Sequence, residues 1–239
     1  MGITYVFGAS GKDSTLTVHT VRLEGSYRIL DNSSLQIALP LSSQSGPAGN
    51  ASGVGDITLL WNQTVFHADE STVRVQGGVK LPTGAVNAGN LSQTYQSGLG
   101  TTDFLFGGSF SFREITLAAA YQLTTGRSAN NVTRLRRGDD VMVRAGYSAA
   151  VEQWSASGEV LAIKRIQESN VLQSTQPETF ANVPNSNQLQ VNLVVRLGYT
   201  LDDEYFINAE AAVALLKRDT NLDGLKRAFT VSVGAGYQF

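Results

Sequence analysis

The chain has no cysteine, five prolines, two histidines and only 16% charged residues in a length of 239. Without cysteine there is no disulfide scaffold, no thiolate metal site and no cysteine nucleophile. There is no surplus of positive charge either: 18 Lys and Arg stand against 20 Asp and Glu, a formal charge of −2. A basic nucleic-acid binder is therefore excluded, and no nucleic-acid partner is expected. Long apolar runs are missing, so no stretch of about 18 residues or more reads as a transmembrane helix. Capped segments with helical spacing are missing too. Disorder does not fit, because 42% of the residues are hydrophobic and the net charge is small.

What is present is glycine, 24 residues in all, and a strict alternation of side-chain character. Near the end of the chain, Phe239, Tyr237, Ala235, Val233, Val231 and Phe229 alternate with Gln238, Gly236, Gly234, Ser232, Thr230 and Ala228. The same period of two runs through Leu189–Tyr199, Val141–Ala149, Val73–Leu81 and Leu117–Leu123. One face is apolar and the other small or polar, which is the signature of half-buried strands and an all-β fold. About twelve strands follow, near 2–8, 14–29, 34–42, 55–67, 72–82, 100–112, 115–125, 139–151, 154–168, 187–201, 205–219 and 225–239. Most exceed the five or six residues usual in soluble sheets and suit the roughly 9–11 tilted residues that cross a bilayer.

The links between strands alternate in length. Short turns fall at Asp31–Ser33, His67–Ser71, Arg113–Glu114, Glu152–Gln153 and Asp202–Glu204. Between them lie SSQSGPAGNASGVG, PTGAVNAGNLSQTYQSGLG, TGRSANNVTRLRRG and ESNVLQSTQPETFANVPNSN, with the first and last links on that side short. Short turns at one end, long loops at the other and an even strand count describe an outer-membrane up-and-down barrel over residues 1–239, as a single domain with both termini periplasmic. Aromatics gather toward the short-turn ends at Tyr27, Phe112, Trp154, Tyr199, Tyr205, Tyr237 and Phe239, as an interfacial girdle would. Tyr237 and Phe239 also form the kind of terminal signal that barrel-assembly machinery reads. The competing architecture is a soluble barrel or sandwich with the apolar face inward.

If the apolar face meets lipid, the other parity lines the lumen. It carries Arg22, Glu24 and Arg28, then Arg74 and Lys80, then Arg144, then Glu159 and Arg165, Arg196 and Glu210, with Asp56 and Asp103 near the extracellular mouth. These charges either pair as an Arg–carboxylate ladder filling a small barrel or set a field along a pore, with a mild preference for anions. Leu60, Phe66, Leu161, Phe206 and Leu216 share that parity. Twelve strands place the lumen between a filled barrel of about eight and an open channel of about sixteen. Three strands begin GVGDITLLW, GLGTTDFLF and RRGDDVMVR, where Gly and Asp read as turn chemistry or as a solute-binding ring at the mouth.

KLPTG at Lys80–Gly84, followed by GLGTTDFLFGGSFSF at Gly98–Phe112, resembles the outer-membrane family named for the meta-pathway of phenol degradation. GVGD at Gly53–Asp56 fits the same style. The resemblance implies passage of small, often aromatic molecules across the outer membrane, with Lys80, Asp56 and Asp103 as candidate solute contacts.

Other signals point elsewhere or nowhere. His19 is expected near the mouth and His67 at a periplasmic turn, too far apart to share zinc or to build a hydrolase triad. Asp219–Gly224 matches half a calcium loop, but Thr230 stands where the closing Glu belongs, so it reads as a hairpin tip, with weak surface calcium as the alternative. Arg137-Gly138-Asp139 matches an adhesion tripeptide and is explained by a turn. No charged and apolar leader precedes MGITYV, so the sequence reads as a mature chain whose export signal has been removed. The expectation is a channel for passive, selective passage of a small aromatic or anionic solute, not an enzyme, with no cofactor or metal, in contact with outer-membrane lipid and lipopolysaccharide. The alternative is a non-conducting structural or adhesion barrel acting through its loops.

Overall fold

Strands with one oily face cannot leave an edge open in lipid, because nothing there would bond the unpaired N–H and C=O groups. A computed structural model of the chain, describing residues 1–10, 16–201, 204–224 and 227–238, solves this by closure. The strands are β1 (Gly2–Ser10), β2 (Thr17–Leu30), β3 (Ser33–Gly46), β4 (Gly49–Val54), β5 (Thr58–Ala68), β6 (Ser71–Lys80), β7 (Thr102–Phe112), β8 (Ile115–Thr125), β9 (Asp140–Val151), β10 (Trp154–Arg165), β11 (Asn170–Thr175), β12 (Glu178–Asn182), β13 (Leu189–Thr200), β14 (Tyr205–Leu216) and β15 (Arg227–Tyr237). All pair antiparallel in one sheet except the separate β11–β12 hairpin. The sheet closes because β1 pairs with both β2 and β15, while β2 goes on to pair with β3. Twelve strands make the wall and β4 is one extra. The amino terminus is tied into the seam, where Met1 N donates to the Tyr237 carbonyl at 2.6 Å.

The apolar parity looks outward. Phe106 on β7 is 52% exposed and Tyr27 on β2 is 73% exposed, and Leu35, Trp61, Leu117, Val143, Val195 and Val233 are exposed on the same outer face. Buried side chains are mostly polar, the reverse of a soluble protein. The fold is therefore an all-β transmembrane barrel of twelve strands, not the soluble alternative. Two-residue turns at Asp31–Asn32, Asp69–Glu70, Arg113–Glu114 and Glu152–Gln153 define one end, called here the turn end. The turn expected at Asp202–Glu204 lies partly outside the described residues, as Asp202 and Asp203 do, and so does Phe239. At the turn end Trp154 stacks near Tyr199 (ring centroids 4.7 Å apart) and Tyr205 near Tyr237 (5.0 Å).

Two stretches expected as plain loop are ordered as strand. Residues 43–54 form a hairpin in which the far half of β3 pairs with β4. Their sequence is rich in Ser, Gly and Asn because both faces stand beyond the oily band, so no alternation marks them. The β11–β12 hairpin is hidden for the same reason. The parity reading also fails at two bulges. The register shift between Thr64 and Phe66 adds one residue to β5, so Phe66 pairs with outward Val73 and is exposed. A second shift pairs Leu216 with Val191, and Leu216 too is exposed on the outside. Leu60, Leu161 and Phe206 keep the lumen parity.

A charged lumen, open at one end and filled at the other

The turn end of the lumen is hollow. A cavity of about 780 Å³ lies between β1, β2, β3, β5, β6 and β14, with Leu60, Asn62 and Phe206 on its walls. Arg28 and Arg74 line it, both exposed, and neither has a side-chain partner among the described residues. Asp31 contributes a carboxylate at the rim. Above them Arg22 pairs with Glu24 at 3.0 Å, and Thr4 donates to the same Glu24 at 3.3 Å.

Around the middle of the other wall runs a ladder of alternating charge. Arg144 on β9 meets Glu159 on β10 (3.5 Å), Glu159 meets Arg196 on β13 (2.9 Å), and Arg196 meets Glu210 on β14 (2.5 Å). The register makes this possible, since Gly146 stands opposite Glu159 and Arg196 stands directly opposite Glu210. On β6, β7 and β8 the lumen parity includes the small residues Gly78, Gly107, Ala118 and Ala120 beside the larger Gln76 and Leu105.

Toward the long links the lumen is filled. Asp103 on β7 is fully buried (0% exposed) and takes Lys80 at 2.9 Å, with Thr101 and Gln122 donating to it. Arg165 on β10 is 1% exposed and reaches Asp140 at 3.2 Å and Asp223 at 2.9 Å. Arg218 joins Asp140 at 3.1 Å, and Arg137 joins Asp223 at 3.0 Å. Burial alone would push the Asp223 carboxyl up, but Arg165 and Arg137 outweigh it and hold that group well below the usual carboxylate range. Asp139 behaves alike: burial is outweighed by the Thr124 N–H, the Tyr121 hydroxyl, the Gln167 amide and Arg137. Over this cluster the links pack on one another. Asn130, wholly buried, donates to the carbonyls of Val86 and Leu91, and Ser128 donates to Gln93.

Asp56 has a different task. Its carboxylate accepts from the Gly84 N–H (3.0 Å) and the Leu99 N–H (2.7 Å), pinning both ends of the link 81–101 to the wall. Gly84 and Gly98 cross there so closely that a Cβ on either would lie 2.6 Å from the other's Cα. The Lys80–Gly84 and Gly98–Asp103 motifs are thus the two feet of one link, joined by Asp56 and by the Lys80–Asp103 pair.

The structure brings the expected lumen residues into three groups. Arg28 and Arg74 share the open cavity, Arg144, Glu159, Arg196 and Glu210 form the ladder, and Lys80, Asp103 and Arg165 join the filled end. Arg22 and Glu24 form a pair of their own, and Asp56 stands apart as a clamp. Sequence reasoning missed Arg137, Asp140, Arg218 and Asp223. Asp140 was legible, because it shares lumen parity with Met142 and Arg144. Arg218 fell inside the strand expected near 205–219 on the parity of Glu210 and was passed over, while Arg137 and Asp223 lie in links, where alternation carries no information. His19 sits on the outer face, bonded to Tyr5 (2.7 Å), and His67 bonds Thr72 (2.9 Å) at the turn end.

A closed twelve-stranded wall with an oily exterior and a wet, charged interior is the architecture of outer-membrane channels and porins. Within that class the chain belongs to the family described as "Putative MetA-pathway of phenol degradation", whose model matches residues 16–204. Its fold is similar to that of the COG4313 outer membrane channel from Pseudomonas putida F1, with a TM-score of 0.72 at 14% identity over 99% of this chain and 94% of that one. It is also similar to the KdgM porin (0.55, 12% identity, 100% and 99% covered) and to the NanC porin (0.54, 10%, 99% and 100%). None of the curated proteins compared with the chain matches it.

Proposed function

We propose that the barrel is a passive outer-membrane channel for a small anionic solute, with its termini and turn end in the periplasm and its long links outside the cell. The observation that carries this reading is a pair of arginines, Arg28 and Arg74, without side-chain partners among the described residues, in a cavity of about 780 Å³ inside a wall that faces lipid. Among the lining side chains Glu24 is taken by Arg22, so Arg28 and Arg74 stand against Asp31 alone, and this surplus attracts anions and disfavours an uncharged aromatic hydrocarbon. The family's name brings phenol degradation into view, and an ionised aromatic acid satisfies both the name and the charge. The KdgM porin, whose wall is of the same kind, has been solved in complex with disordered oligogalacturonate, an anionic solute. The COG4313 channel and the KdgM and NanC porins share this wall, as do the transport unit of one autotransporter and the translocator domain of another, and a passage role without catalysis accords with them. Contact with lipid and lipopolysaccharide is read from the exposed apolar band, and a role for Tyr237 and Phe239 in assembly rests on the apolar alternation of the sequence there, Phe239 itself lying outside the described residues.

The test is a liposome-swelling panel of sugars, carboxylates and phenolics of matched size. Faster swelling with benzoate than with phenol or an uncharged sugar is expected. Equal rates for all three would remove the anion preference. A second reading, a non-conducting barrel acting through its links, is favoured by the filled link end. It predicts no single-channel steps in planar bilayers.

A further inference from the structure

Asp223 occupies a site that a foreign carboxylate would fit. Its Oδ2 accepts from Arg165 Nη2 at 2.9 Å and from Arg137 Nη1 at 3.0 Å, and its Oδ1 accepts from Arg165 Nη1 at 3.3 Å. Two guanidinium groups on separate elements thus clasp one carboxylate, a geometry suited to planar acids more than to spherical ions. The clasp is built from below: Asp140 on β9 accepts from Nε and Nη2 of Arg165 at 3.3 and 3.2 Å and fixes that guanidinium.

Two features mark Asp223 as a replaceable occupant. Asp103 and Asp140 belong to the wall, whereas Asp223 arrives on the link between β14 and β15. Without it, Lys80, Arg137, Arg165 and Arg218 would face Asp103, Asp140 and, beside Arg137, Asp139, four positive charges against three negative ones in a buried place. Second, Arg137 is under-used. Its side chain is only 9% exposed, yet Nε and Nη2 have no hydrogen-bond partner, and the nearest carboxylates stand 3.6 and 3.7 Å away. Unpaired donors on a buried cation are costly. A carboxylate free of the chain can turn to use them, and one held by a backbone cannot.

We propose that the Arg137–Arg165 clasp is a binding site for small carboxylates, and that Asp223 is the chain's own stand-in for that ligand. The inference rests on the channel reading, because an acid entering from the link side meets this clasp before it reaches the cavity of Arg28 and Arg74. An entering acid displaces Asp223 by competition, and the displaced link uncovers the path.

The test uses the full chain in detergent micelles. Calorimetric titration of Asp223→Ala with acetate should show binding at least tenfold tighter than wild type, lost again in Asp223→Ala/Arg137→Gln, with phosphate and chloride far weaker than acetate. Equal affinity of wild type and Asp223→Ala, or chloride matching acetate, overturns the proposal. Since the chain lacks cysteine, Leu222→Cys gives a readout that leaves the clasp intact. Maleimide should label that thiol several-fold faster in acetate than in chloride of equal strength, and equal rates overturn displacement. Neither readout needs conduction. Acetate binding without any liposome swelling would therefore uphold the site and remove the channel.

Discussion

At the scale of single residues, the groups that matter do not all act on a solute. Asp56 holds two backbone N–H groups of one link, 28 and 43 residues away in the chain. Asp56→Ala leaves those donors without their partner, a loss of about 1–3 kcal/mol if they stay buried. Proteinase K should then cut within 81–101 faster while the barrel stays folded, and an unchanged digestion rate would show that the clamp contributes nothing. Gly98→Ala should produce the same effect by another route, because the added Cβ meets the Gly84 Cα at 2.6 Å and the Asp56 carboxylate at 2.8 Å. Glu159 is the opposite kind of residue, a carboxylate between Arg144 and Arg196. Glu159→Gln removes one negative charge, leaving Arg144 without its carboxylate and Arg196 with Glu210 alone. The reversal potential in a salt gradient should move toward anions, and no movement would mean that ions bypass the ladder.

At the scale of elements, the strands were legible and the links were not, for a physical reason. Between lipid and water a strand must alternate, so Val231, Val233 and Ala235 announce their face. Beyond the lipid both faces meet water or protein, and alternation stops. The β3–β4 overhang and the β11–β12 hairpin were lost for that reason, and so were Arg137 and Asp223. Parity also assumes no insertions, and one extra residue on β5 turned Phe66 outward. Most lumen charges were readable, since Arg144, Glu159, Arg196 and Glu210 lie in uninterrupted runs, but their pairing was not, because it depends on cross-strand register. The links carry a prediction about pH. Asp139 and Asp223 both have carboxyls below their ordinary value. A depressed carboxyl contributes stability that is fully present above its unfolded pKa, about 3.9, and is lost as pH falls through its native value. Hydrogen exchange in residues 126–139 and 217–224 should therefore be constant, after correction for intrinsic rates, from pH 8 to pH 5. Loosening should set in only in strong acid, and a transition near pH 6 would contradict the geometry.

At the scale of the whole molecule, the outward face decides everything else. Val195 lies mid-strand on β13 and is exposed to the outside. Val195→Arg should cost about 2–4 kcal/mol if that position meets the bilayer midplane. Folding into lipid vesicles, read from heat-modifiable mobility, should fall accordingly, while the same change at lumen-facing Asn192 should be tolerated. Equal effects at both positions would mean that the wall is inside out. The two ends of the lumen also differ, one hollow and bearing Arg28 and Arg74, the other packed with paired charge. A pore whose fixed charge is spread unevenly along its length behaves as an ionic diode, since one polarity of voltage crowds mobile ions into it and the other drains them. Whatever current this barrel carries should therefore be unequal at opposite voltages, and the sign of that inequality would report which way round each molecule sits in the bilayer.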